Sequence, residues 1–319
     1  MGKPNIRLNP KVWSRVKPTL LKEAVMLLLR IAFLLPKAKE PQDKRGPKSY
    51  DYRVLLILLV LRLLLRKSYD DYEIELRTRG DLQGWLGLEK MPGKSTLQRE
   101  AKKINMNLLR QLNLMLIKQW MKEFTDLILD SSGIRIYGYS IWYSLRIQRK
   151  ICKRSFDKVH LAVDENNLLI ANWFMSKGTA NDSPFFTRLL KSFKRLGIVI
   201  GDKGYCARKN FQFVVDRFGA PFIAFKENSK GRAKRCPAWS KAFRLWKILP
   251  FIYKAIYNKR SKIESVFSAL KRRYGDRLYG KTWQVRRKEL ALRFIAYNLR
   301  IILCIKYSRE HDMPLWVRA

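Results

Sequence analysis

Residues Tyr257 to Lys271 read Y-N-K-R-S-K-I-E-S-V-F-S-A-L-K. The spacing predicts a helix whose one side is apolar, through Ile256, Ile263, Val266, Phe267 and Leu270. At about 100° per residue, Tyr257, Arg260, Glu264 and Lys271 fall within roughly 60° of one another. The reading is therefore a carboxylate held between two cations and a phenol, along the rim of a buried face. That arrangement suits phosphate. An ordinary amphipathic helix with solvated charges fits the stretch taken alone equally well, so the rest of the chain has to decide.

Two further carboxylates stand out, because the chain has 26 acidic residues against 67 basic ones. Asp130 closes the apolar run L-I-L-D, and Asp202 closes I-V-I-G-D. Short runs of Ile, Leu and Val with turn-prone residues behind them read as buried strands. In open α/β sheets the reacting ligand sits beyond the carboxyl ends of strands. Asp130, Asp202 and Glu264 are thus expected to converge into an oxygen-rich site for a hard divalent cation. A lone strand-end aspartate is usually a turn or cap residue, but three acids beside a phosphate-suited helix make coincidence a poor account.

With its Y-x2-R-x3-E-x6-K pattern filled at every position, the trio resembles that of the DDE transposases of prokaryotic insertion sequences. G-D-K-G-Y, Gly201 to Tyr205, is also typical of the second-aspartate strand in that family; the first aspartate rests on the weaker D-S-S-G. Gly46 to Ile104 is similar to the family's helical N-terminal region, through R-G-P-K-x-Y-D, D-L-x-x-W-L-G-L and an S-T-L-Q-R helix start. The resemblance covers roughly residues 45 to 305. It implies an RNase H-like mixed sheet flanked by helices, with an all-α N-terminal domain over 1–122 for DNA-end binding or dimerisation. The catalytic domain is expected over 123–319, with a basic insertion at about 227–250. The implied activity is metal-dependent cleavage at element ends and transfer of the 3′-hydroxyl into target DNA.

The same resemblance implies two Mg²⁺ ions, replaceable by Mn²⁺. In a two-metal site the ions lie about 3.5–4 Å apart and stabilise the attacking and leaving oxygens. Asp130 is expected to bridge them, with Asp202 and Glu264 holding one each. Candidate DNA contacts are Tyr257, Arg260, Lys271, Lys203 and Arg272. The partners are double-stranded DNA, as terminal inverted repeats and target, and a second copy in a synaptic homodimer. Two rivals remain: an inactive or domesticated DNA-binding protein, and an RNase H-like nuclease of repair or recombination.

Charge agrees independently. A formal net charge of +41 over 319 residues points to nucleic acid, since phosphate neutralisation releases condensed counterions. The 47% hydrophobic content suffices for real cores and about two domains. Val54 to Leu61 is an eight-residue apolar run, well below the ~20 a spanning helix needs, so a buried helix is expected and no membrane partner. No apolar segment follows Lys3 and Arg7 closely enough to form a signal peptide, so a cytoplasmic location is expected. Cys152, Cys206, Cys236 and Cys304 are scattered without zinc spacing. His160 reads as a satisfied strand histidine rather than a base.

Along the chain the expected order is helices at Thr19–Leu35 and Tyr50–Lys67 around a Pro- and Lys-rich connection at 36–48. A capping box of Ser95 with Gln98 follows. Strands are expected at 126–130, 159–164 and 168–175, the last two a hairpin through Glu165–Asn167. A helix from Asp182-Ser183-Pro184 to about 195, the Asp202 strand, a helix near 208–218 and a strand at 221–226 complete the sheet. A mobile basic loop (Glu227–Pro237), a short helix near 239–248, the Glu264 helix and a final helix at about 285–307 follow. Asp157, Asp164 and Asp182 are expected as turn or cap residues, and Trp142 and Trp173 as core.

Overall fold

The computed structural model describes residues 6–37, 50–136, 156–232 and 235–318. Trp142, Cys152 and most of the connection at 36–48 lie outside them. The chain divides into two compact units. One contains Trp120–Lys271 and a few residues of each terminus; the other contains Leu8–Gln119 and Arg272–Val317.

In the first unit five strands form the sheet: β1 Thr125–Ile136, β2 Phe156–Asp164, β3 Ile170–Lys177, β4 Leu196–Gly201 and β5 Ala220–Ile223. Their order is β3-β2-β1-β4-β5. The pairs β1–β2 and β2–β3 are antiparallel, while β1–β4 and β4–β5 are parallel. This is a mixed RNase H-like sheet with helices on it. The parallel strands are buried and read as near-continuous Ile, Leu and Val, as helix-covered strands do.

The last two strands each follow a helix. Ser183–Leu190, with Pro184 in its first turn, precedes β4, and Arg208–Val215 precedes β5. The first of these stops at Leu190 rather than near 195, because a turn at Lys191–Lys194 leads directly into β4. At β5 the strand ends at Ile223, short of Lys226, and Phe225 turns inward into an aromatic cluster with Phe211, Trp239 and Trp246. The segment expected as a mobile loop is tied back where it is described: Trp239 Nε1 donates to the Lys230 carbonyl at 2.9 Å and Ser240 Oγ to the Gly231 carbonyl at 3.0 Å. Residues 233–234 lie outside the description.

The second unit is helical. Tyr52–Leu64 is buried over nearly its whole length, so its apolar run is the inside of a helix bundle. The helix Trp283–Glu310 packs in the same unit, on Met106–Lys118 and Tyr52–Leu64. Buried between them, Asn298 Nδ2 donates to Asn113 Oδ1 at 2.7 Å, a polar pair that fixes register inside an apolar seam. No described helix is long and apolar enough to cross a membrane. The expected Ser95–Gln98 capping box is absent: the helix begins at Lys94 behind Gly93, with no side-chain cap, and Ser95 lies inside it.

Candidate active site

Register brings the two aspartates together. In the parallel pair, Leu129 lies opposite Gly201, so Asp130, still inside β1 and paired with Leu161, lies beside Asp202, the residue after β4. Asp130 shares a face of β1 with Ile128 and Ser132, since side chains alternate along a strand. The Glu264 helix, Ser261–Tyr274, lies on that face. Within the catalytic unit its Lys271 Nζ donates to Ser132 Oγ at 2.9 Å, and Ile263, Val266 and Leu270 are buried.

The expected single helix from Tyr257 to Lys271 is broken. One helix, Pro250–Asn258, ends before Arg260, and the next starts at Ser261. At the joint Arg260 N donates to the Tyr257 carbonyl at 2.9 Å and Ile263 N to the Arg260 carbonyl at 3.1 Å. These are the tighter three-residue closures of a 3₁₀ turn rather than α-helical bonds. Tyr257 and Arg260 therefore do not extend the Glu264 stripe. Two anchors hold the joint: Tyr253 Oη donates to the Ile223 carbonyl at 2.8 Å, and Glu165 pairs with Lys262 and, at 3.5 Å, with Lys259. Burial opposes the Glu165 charge, yet those two lysines hold its carboxyl below the usual range.

Arg260 is the centre of the site. Its Nη1 lies 2.6 Å from Asp130 Oδ2, its Nη2 3.1 Å from Glu264 Oε1 and its Nε 3.9 Å from Asp202 Oδ1. Tyr257 Oη donates to Asp202 Oδ1 at 3.3 Å. The side chain of Asp130 is 15% exposed, against 43% for Asp202 and 40% for Glu264. Burial raises the Asp130 carboxyl to about 6; Asp202 and Glu264 push the same way, while the Ser131 amide and Arg260 oppose.

Three carboxylates sharing one guanidinium form a hard, anionic oxygen set, which fits Mg²⁺ or Mn²⁺ in donor type. Arg260 stands in for the cation. Among the described residues no three His, Cys, Asp or Glu side chains are grouped closely enough to hold a metal ion.

Two candidate DNA contacts remain. Lys203, exposed in the 3₁₀ turn Lys203–Tyr205, reaches Glu227 at 3.4 Å. Arg272 is exposed and belongs to the helical unit, as does Arg273, which bonds the Leu64 carbonyl.

A family model described as the transposase DDE domain matches residues 122–299. The chain belongs to the transposase DDE domain family. Transposases of this family generally use divalent metal ions and bind DNA. An uncharacterized protein of Aquifex aeolicus (strain VF5) is 25% identical over 276 residues, covering 82% of this transposase and 81% of that protein. No solved structure matches.

Sequence reasoning missed a polar network on the opposite face of β1. Ser131 lies opposite His160 across the β1–β2 pair. Asp182 accepts from Lys158 Nζ at 2.9 Å and from Ser131 Oγ at 3.2 Å, and lies 3.7 Å from His160 Nδ1. Asp182 occupies the expected N-cap position of Ser183–Leu190, but its side chain makes no cap bond and serves as an ion-pair partner instead. Asp164 does serve a turn, accepting from the Asn167 amide at 2.7 Å. His160 is fully buried between Ser176 and Tyr205, and burial lowers it to about 4. Asn210 Nδ2 donates to the Tyr205 carbonyl at 2.7 Å, closing the G-D-K-G-Y turn from below. The signal was present as H-L-A-V-D and D-S-P, but nothing in sequence spacing pairs residues 131, 160 and 182.

Proposed function

We propose that this transposase cleaves DNA strands at the ends of an insertion element and joins the freed 3′-hydroxyl to target DNA, using Asp130, Asp202 and Glu264. The observation that carries the reading is the convergence of these acids, distant in sequence, on the single guanidinium of Arg260. Both steps are in-line displacements at phosphorus. In the first, water attacks and the strand's 3′-oxygen leaves as a hydroxyl. In the second, that hydroxyl attacks a target phosphodiester and displaces the target strand's own 3′-oxygen, so no net oxidant or cofactor is consumed.

Two Mg²⁺ ions, held by Asp130, Asp202 and Glu264, would supply charge stabilisation to the attacking and leaving oxygens. The chain's residues do the positioning. Arg260, released from the carboxylates, offers a planar fork to a phosphate, and Lys271 offers a point charge beside Ser132. Tyr257 holds Asp202 and can donate to a phosphate oxygen once that bond is exchanged. The helical residues before about 122 bind the element's terminal inverted repeats, and two copies pair in the synaptic complex.

The test is Asp202→Asn. It keeps shape and removes ligand charge, so end binding should persist while Mg²⁺-dependent nicking of DNA bearing the flanking sequences disappears. Retained nicking, or lost binding with nicking intact, refutes this reading. A wild-type chain that binds the ends without cutting would identify an inactive DNA-binding derivative instead.

A further inference from the structure

The helical unit contains a cavity of about 1000 Å³, and every residue lining it belongs to that unit. Its wall carries seven lysines and arginines against two acids, Asp70 and Glu289. Neither acid is available to the rest. Asp70 pairs with Lys94. Glu289 accepts from the backbone amides of Tyr279 and Gly280, at 2.9 and 3.0 Å, and pairs with Arg293 at 2.6 Å. Arg62, Arg66, Lys102, Arg273 and Lys281 form no ion pair among the described residues. Cations gathered around one concavity repel each other and raise the local concentration of anions.

Two details indicate that the wall is built for an occupant. The Nε atoms of Arg62 and Arg273 are buried without a hydrogen-bond partner, while their Nη atoms hold the Lys67 and Leu64 carbonyls. Unpaired buried donors are uncommon and point to a missing acceptor. Arg66 closes the helix Tyr52–Leu64 with φ 62°, its amide donating to Leu63 and that of Lys67 to Arg62. Glycine is the residue favoured at that helix-ending position, so an arginine there bears backbone strain in exchange for a charge on the cavity rim.

The occupant has an aromatic side as well. Arg62 stacks on Tyr69 at 3.9 Å, and Tyr279, also part of the lining, is 62% exposed. Guanidinium forks bind phosphate oxygens bidentately, and tyrosine faces accept bases or sugars. The volume exceeds that of a bare phosphate and suits a nucleotide unit.

We propose that this cavity seats a phosphodiester of a DNA strand, with its sugar or base against the tyrosines, as a contact separate from the carboxylate centre. The inference rests on the chain acting on DNA, as set out above.

The test uses the full-length protein, Arg66→Gly and Lys281→Ala, with labelled duplex DNA titrated over a range of salt. Arg66→Gly relieves the strained φ while removing the charge. Its melting temperature should therefore equal or exceed the wild type's, while duplex affinity falls several-fold and the salt slope drops by about one. Lys281→Ala should show a similar loss. A single-stranded oligonucleotide and inorganic tripolyphosphate serve as separate arms. Wild-type affinity and slope in both variants overturn the proposal. So does loss of tripolyphosphate binding alone, which would make the cavity a site for free polyphosphate. Asp202→Asn, assayed alongside for binding and nicking, separates the two claims. If it still nicks, the catalytic reading fails whatever the cavity does; if it binds but cannot nick while Arg66→Gly binds normally, only the cavity proposal fails.

Discussion

Asp130→Asn should make the protein more stable while destroying its cleavage activity. The carboxyl is 15% exposed, and burial lifts its pKa from 3.8 to about 6. At 1.36 kcal/mol per pKa unit, ionising it in the folded state costs about 3 kcal/mol relative to the unfolded chain. The sign follows: for a carboxyl with a raised folded pKa, that stability is present below 3.8 and is lost as pH rises through 6. An asparagine escapes the penalty at neutral pH. The pull of Arg260 is already contained in that raised pKa, so it is not subtracted again. The net gain is at most about 3 kcal/mol, which for domains of this size is a rise of up to roughly 6–12 °C in melting temperature. The assay is thermal melting in EDTA from pH 4 to pH 8. The variant should melt higher above pH 6, and the gap should close toward pH 4. Added Mg²⁺ should raise the wild type's melting temperature more than the variant's. A variant less stable than wild type at pH 7.5 in EDTA would refute the electrostatic account of the site.

Lys271→Ala should weaken DNA binding and reduce the salt slope by about one, while stability changes by no more than about 1 kcal/mol, since only its bond to Ser132 is lost. Its binding should be compared at several salt concentrations. Asn210→Ala removes the donor to the buried Tyr205 carbonyl and should cost about 1–3 kcal/mol in a denaturant titration. It should also reduce nicking by loosening the turn that carries Asp202. His160 is held neutral, its pKa lowered by burial to about 4, so its contribution is complete above pH 6.5 and is lost as pH falls through 4. His160→Gln should therefore flatten the acid side of the stability profile, measured by urea unfolding at successive pH values. Gly219→Ala would bring a Cβ within 2.8 Å of the Gly197 carbonyl and of Leu196, and the chain should express poorly or melt several degrees lower.

The sheet was legible because its strands carry uninterrupted apolar runs that end in turn residues. Asp130 and Asp202 sat at those ends, and parallel register does the rest. Extents were less legible. β1 runs on through Ser131, Ser132 and Gly133 to Ile136, where composition favours a turn, because β2 pairs it along that whole length. The break at Arg260 was hidden for a different reason. No proline or glycine marks it, and the wheel of apolar residues continues across it; tertiary bonds from Lys259, Lys262 and Tyr253 decide the joint. The final helix, expected within the catalytic domain over 123–319, groups with the helical unit, where its buried positions from Leu290 to Ile305 pack on Met106–Lys118 and Tyr52–Leu64.

The broken helix changes what the signature residues can do. On one continuous helix, Arg260 and Glu264 would be neighbours on a surface, and their pair would be worth a few tenths of a kcal/mol. With a 3₁₀ joint beneath it, the guanidinium keeps its bond to Glu264 at 3.1 Å and also reaches across to β1, where Asp130 accepts its shortest bond at 2.6 Å. The acids then lie within the reach of one rigid fork, in a chain whose remaining charge is strongly positive. On the function proposed above, the basic charge would gather DNA, and Arg260 would mask these three acids until a divalent cation displaced it. Arg260→Gln tests this directly: the unmasked acids repel one another, so the variant should melt lower than wild type in EDTA and recover more than wild type on addition of Mg²⁺. Equal recovery in both would mean that the arginine does not compete for the carboxylates, and its fork would then have to be assigned to DNA alone.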